Sequence, residues 1–231
     1  MGSAQDEYLI RGHNGLETCV ILSEDYARLF AKRKFMEIET VKRVVRGLNE
    51  KGVRYCLVGE MALAHHSIPR LTQDVVIMVL PEDLPLVAQL LQGHQQRGTA
   101  VVSIFQIGDT RIDILPANLQ AKREAVLGAI EGVIDDLPVK VVNLRDLILL
   151  KMWAAPERPE LGMRMRDEAD VTQLIETNPG KVSADDIAYV CRSVLAMAYT
   201  SEDVKKFRDQ VQWLNATLDK LGLSALHYPL Q

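Results

Sequence analysis

The sequence predicts an α/β (α+β) protein: a small mixed β-sheet flanked by helices, followed by a helical C-terminal section. Three observations carry that expectation. Short β-rich apolar runs cluster between residues 55 and 142, segments of helical periodicity lie between them, and no strand pattern appears after residue 167. At 231 residues the chain is long enough for one sizeable core. The expected division is an N-terminal segment 1–36 of open structure, a sheet domain 37–155 and a helical section 156–231.

Element by element, Val41, Val44, Val45 and Leu48 recur at helical spacing, and Lys51-Gly52 should end that helix. Tyr55 to Val58 forms an apolar run that reads as a buried strand turning at Gly59, with a short helix over Glu60–His66. A second strand is expected at Asp74–Leu80. Pro81-Glu82-Asp83 then suits a helix start, since proline fits the first turn and acids favour its dipole; that helix is expected to reach about Gln96. Ala100–Ile107 and Thr110–Leu115 read as strands joined at Gly108-Asp109 in a hairpin. Next come a helix near Gln120–Ile130, a strand at Val139–Val142 and helices at Leu144–Ala155, Asp167–Glu176, Ser183–Met197 and Ser201–Leu221. Ser183 is the expected cap of the third of these helices, and the last has an acidic start over Ser201–Asp203.

Composition narrows the function. The net charge of −4 and pI near 5.8 disfavour bulk electrostatic binding of nucleic acid. Cys19, Cys56 and Cys191 form no CxxC pair, which gives no disulfide or zinc framework and suits a reducing compartment. The apolar run at 75–80 is too short to span a bilayer and no secretory pattern opens the chain, so a cytoplasmic protein is expected.

Two carboxylates stand out. Asp74 opens an otherwise apolar strand, and Asp113 lies between Ile112 and Ile114. An acid in a buried strand is costly unless paired, hydrogen-bonded or bound to a cation. Two readings stay open from pattern alone. The acids converge on one ion, or Asp74 caps the turn after Thr72 while Asp113 pairs with Arg111 at a sheet edge.

The string YCLVGEMALAHHSIPRLTQDVVIMV resembles the opening motif of the DNA-polymerase-β-like nucleotidyltransferase superfamily, most closely its AbiEii-like members. Val58-Gly59-Glu60 corresponds to the glycine turn, Asp74-Val75-Val76-Ile77 to the metal-binding strand, and Arg70-x-Thr72 to the residues before it. TRIDILPA resembles the strand of the third carboxylate, on Asp113. VVNLRDLILLKMWAA and RMRDEADVTQLI resemble the helices after the sheet, with Lys151, Asp167 and Asp170 in matching positions. The likeness spans about residues 38–176.

The resemblance implies transfer of a nucleoside monophosphate from an NTP to an acceptor with Mg²⁺. Asp74 and Asp113 would be the catalytic and metal-binding carboxylates, and Gly59, Glu60, Arg70, Thr72 and Lys151 would line the nucleotide phosphates. A nucleotide or small molecule is the partner implied. Two departures bear on it: Val76 occupies the place of the family's second aspartate and cannot ligate a cation, and Glu60 puts negative charge where phosphate should bind. The alternatives are therefore a degenerate module of the same fold that binds or regulates, or a pocket put to other small-molecule chemistry through Glu60, His65 or Asp113. His65 and His66, adjacent on a helix, read as packing or surface residues. Trp153 and Trp213 read as core.

Overall fold

The computed structural model describes Leu16, residues 37–67, Pro69, Thr72 and residues 74–230; the N-terminal segment and Arg70 singled out above lie outside the described residues, apart from Leu16. The chain divides into two compact units, Met1–Asn143 and Leu144–Gln231, which places the helix after residue 143 in the second unit.

The first unit is built on a seven-stranded mixed sheet. Its strands are β1 (Tyr55–Val58), β2 (Asp74–Val79), β3 (Gln95–Gly98), β4 (Ser103–Ile107), β5 (Thr110–Pro116), β6 (Ile130–Ile134) and β7 (Leu137–Val141), in the order β3-β4-β5-β2-β1-β7-β6. The middle of this order is the most apolar part of the chain. Cys56, Leu57, Ile77, Val79, Ile112 and Val141 are wholly buried there, as strands covered on both faces require. β2 runs parallel to β5 and antiparallel to β1, and β7 runs parallel to β1.

The helices of this unit follow the predicted periodicities. α1 (Ile38–Glu50) buries Val41, Val44, Val45 and Leu48, the stripe read from the sequence. α2 (Gly59–His66) starts directly from β1, α3 spans Leu84–Leu90 and α4 spans Gln120–Leu127.

Several boundaries differ from the sequence reading. The helix expected from Pro81 to about Gln96 is a 3₁₀ turn (Pro81–Asp83) and a short α3 that ends at Leu90; residues 95–98 instead form the edge strand β3. Glu82 and Asp83, expected to favour a helix dipole, are held by side chains. Asp83 accepts from the Nε, Nη2 and backbone N–H of Arg54, and Arg123 forks onto Glu82. Arg123 holds the Glu82 carboxyl down at about 2.

The second unit is helical: α5 (Leu144–Ala154), a 3₁₀ turn (Ala155–Glu157), α6 (Leu161–Glu176), α7 (Ala184–Ala196), α8 (Ser201–Lys220) and a last 3₁₀ turn (Ser224–Leu226). Its core gathers Leu147, Ile148, Met152, Val171, Leu174, Ile187, Val194, Phe207, Val211 and Leu214. Ser183 caps α7 in a reciprocal capping box with Asp186, as the sequence suggested. For α8 the cap is Thr200, which forms the same box with Asp203; Ser201 is already helical. α6 begins six residues earlier than the expected Asp167. Both tryptophans are half-buried rather than core. No helix among the described residues is long and apolar enough to cross a membrane.

Candidate functional site

The site is built where β1 turns into α2. Gly59 has φ +64, a left-handed conformation that a side chain makes costly. A Cβ there would also stand 3.3 Å from Cγ2 of Val76, which pairs through its strand with Val58. The turn and the middle of β2 are therefore in close approach, and position 76 is the residue under the elbow. Val76 is half-buried, unlike the fully buried Val75 and Ile77 that alternate with it. The same face is open at Asp74, also half-buried.

The parallel pairing of β2 with β5 sets Asp74 beside Arg111 and Val76 beside Asp113. Alternation puts these four side chains on one face of the sheet. Asp113 is largely buried and accepts two hydrogen bonds from one edge of the Arg111 guanidinium: Nε to Oδ1 and Nη2 to Oδ2, each 2.7 Å. Such a fork is the strong form of a charge-assisted contact. The pairing weighed for Asp113 is thus present, but on an interior strand between β4 and β2, not at an edge.

Asp74 is treated differently. Among the described residues its carboxylate has one partner, the hydroxyl of buried Thr72 at 3.4 Å, and that hydroxyl also donates to the Asp74 carbonyl at 2.9 Å. Burial pushes the Asp74 carboxyl above the ordinary range, and the negative charge of Asp113 adds to the push. Arg111 and the Thr72 hydroxyl pull it back, and Glu60 raises it slightly. Asp113, Arg111 and Glu60 thus all act on Asp74 beside the glycine elbow.

The remaining sequence candidates have contacts of their own. Lys151 belongs to the second unit, where it is buried and paired with Asp167 at 2.9 Å and Asp170 at 2.6 Å; Arg158 holds the other oxygen of Asp167 at 2.7 Å. His66 contacts the Val142 carbonyl at 2.7 Å and stacks edge-on with His65, so the two rings are packed rather than paired on a common ligand. Arg111 is the site residue that the sequence reading weighed only as a neutraliser. A period-two count along β5 carries the missing signal, since it puts Arg111 on the face of Asp113.

A family model described as "Nucleotidyl transferase AbiEii toxin, Type IV TA system" matches residues 60–220, more than half of the chain. The chain belongs to this family. The sequence resemblance to nucleotidyltransferases is borne out with it. Among solved structures, an antigenic nucleotidyltransferase-like protein from Paracoccidioides brasiliensis superposes with TM-score 0.53 at 16% identity, over 82% of this chain and 92% of its own. The antibiotic-resistance factor ANT(2″)-Ia superposes with TM-score 0.48 at 16% identity, over 80% of this chain and 96% of its own. At these identities the likeness concerns the fold. No curated protein matches the chain.

An AbiEii-family nucleotidyl transferase fold implies divalent cations, and the donor set here can be tested for them. Two ions held by protein need several converging carboxylates; Val76 interrupts the set and Asp113 has both oxygens engaged by Arg111. Among the described residues no three His, Cys, Asp or Glu side chains are grouped to hold a metal. A two-ion site does not fit. One Mg²⁺ does, because this ion is commonly held by one or two carboxylates with substrate phosphates and water completing its shell, and Asp74 has no cationic partner among the described residues.

Proposed function

We propose that this chain is a divergent nucleotidyltransferase that moves a nucleoside monophosphate from an NTP to an acceptor, working with one Mg²⁺ instead of two. The observation that carries the reading is Asp74: a half-buried carboxylate kept on the elbow face at electrostatic cost, with no cationic partner among the described residues. Natural proteins tolerate such costs where function needs them.

Charge balance supports the cation. Among the described residues Asp74, Asp113 and Glu60 outnumber Arg111, so a triphosphate entering without an ion would be held only weakly. Asp74 would hold the ion that accompanies the nucleotide. Bound there, Mg²⁺ would neutralise charge developing on the triphosphate during in-line displacement. Thr72 orients Asp74 through its hydroxyl. Gly59, lacking a side chain, leaves room for phosphate near the backbone N–H groups that open α2. Asp113 holds Arg111 in place.

A second reading is a binding or regulatory module that retains the fold without turnover. Val76 in the ligand position and the closed Asp113–Arg111 fork favour it. Incubation with α-labelled NTPs, Mg²⁺ and pools of RNA, protein and small-molecule acceptors separates the two. The first reading expects label on an acceptor, lost about 10²-fold or more in Asp74→Asn, the scale of one transition-state charge contact. Nucleotide binding without label on any pool would favour the second, and neither binding nor transfer would end both.

A further inference from the structure

We infer that Arg111 stands in for a second cation at this site: a fixed positive charge, anchored by Asp113, whose other guanidinium edge grips a phosphate of the nucleotide. The inference rests on the nucleotide pocket proposed above and assigns the residue that supplies its second positive charge.

Four observations meet on this residue. Arg111 lies on the face of β5 that carries Asp113 and is the register partner of Asp74, so its charge is delivered between the two carboxylates. Its contact with Asp113 uses only the Nε–Nη2 edge. A guanidinium has five donors in a rigid plane, so the Nη1 group and the second Nη2 hydrogen remain; among the described residues they have no partner. The side chain is 45% exposed although the carboxylate that holds it is 12% exposed, an arrangement with the anchor inside and the charge toward solvent. Finally, the β2 residue beside Asp113 on this face is Val76, which cannot hold an ion.

These features differ from those of a simple neutraliser. A planar guanidinium fixed along one edge by a carboxylate is pre-organised to accept a second oxyanion along another, with little side-chain entropy left to lose. Phosphate recognition by Arg111 would not require it to release Asp113, so the role of Asp113 is positioning.

The test uses inorganic tripolyphosphate, which carries the phosphate chain and no base, titrated calorimetrically into the full chain with and without Mg²⁺. Wild type is expected to bind in both conditions, more tightly with the ion. Arg111→Gln should weaken binding at least tenfold and remove the Mg²⁺-independent part. Arg111→Lys, with the charge but not the fork, should fall between them, and Asp113→Asn should weaken binding less than Arg111→Gln. Thermal melts check folding; if the Gln variant does not fold, the Lys variant carries the test. Wild-type affinity in a folded Arg111→Gln, or in Arg111→Lys where only that variant folds, would overturn the inference while leaving the nucleotide pocket standing. Failure of wild type to bind tripolyphosphate or any NTP would instead overturn the pocket and the inference with it.

Discussion

Asp167 and Asp170 in the helical unit and Asp74 in the sheet unit are all acids set among apolar residues, yet among the described residues only the first two have cationic partners. Lys151 serves both of them and Arg158 closes the remaining side of Asp167, so the charges are buried as a neutralised group. Asp74 has a long hydrogen bond from Thr72, a like charge at Asp113, and a carboxyl pushed above its ordinary value. The difference separates bracing from readiness. A paired buried acid ties α5 to α6, whereas an acid with no cationic partner among the described residues suits the ligand-binding role proposed above.

The comparison breaks first at Lys151. Lys151→Met should take the lysine charge away from two buried carboxylates and destabilise the fold by about 3–5 kcal/mol, read by denaturant unfolding. A loss within a few tenths of a kcal/mol would mean that the cluster is not a brace.

Asp74→Asn should act in the opposite direction on stability while abolishing the proposed transfer. The sign follows from linkage. Because the native carboxyl is raised, the unfolded chain ionises first as pH rises, and wild type loses stability from the ordinary carboxylate range up to the raised value. The cost is complete above that value. Asp74→Asn is therefore expected to melt higher than wild type at neutral pH, with the gap closing in acid; melting curves across pH check it.

Val76→Asp sharpens the same contrast by adding a third carboxylate under Gly59. It should lower the melting temperature in chelator and regain part of the loss on Mg²⁺ addition, whereas wild type responds less. Gly59→Ala should cost about 1–2 kcal/mol from its left-handed backbone, a little more with the Val76 contact. The smallest effect concerns capping: Thr200→Ala should cost about 1 kcal/mol in unfolding free energy and Ser201→Ala within about 0.5 kcal/mol.

What was legible in the sequence follows burial. β1, β2 and β5 are apolar runs with few polar residues, and their limits were readable to within a residue or so. β3 was not, because Gln95, Gln96, Arg97 and Gly98 are all exposed and an edge strand has no buried face to impose alternation. β6 was missed for a related reason: it exposes Ile130, Glu131 and Val133, so no apolar stripe marks it. The carboxylates of the candidate site were legible as acids in the wrong company. Their partners were harder to see. Arg111 is two residues from Asp113 and needed only strand periodicity, while Lys151 and Asp167 are sixteen residues apart and meet through the packing of two helices.

The most direct test is a carbon-13 carboxyl titration of Asp74, assigned by comparison with Asp74→Asn, with and without Mg²⁺ and a nonhydrolysable NTP. The account predicts a carboxyl that titrates above the ordinary aspartate range and is driven down when ion and nucleotide are added together. An Asp74 resonance that titrates like an exposed aspartate, and is unmoved by both, would contradict it.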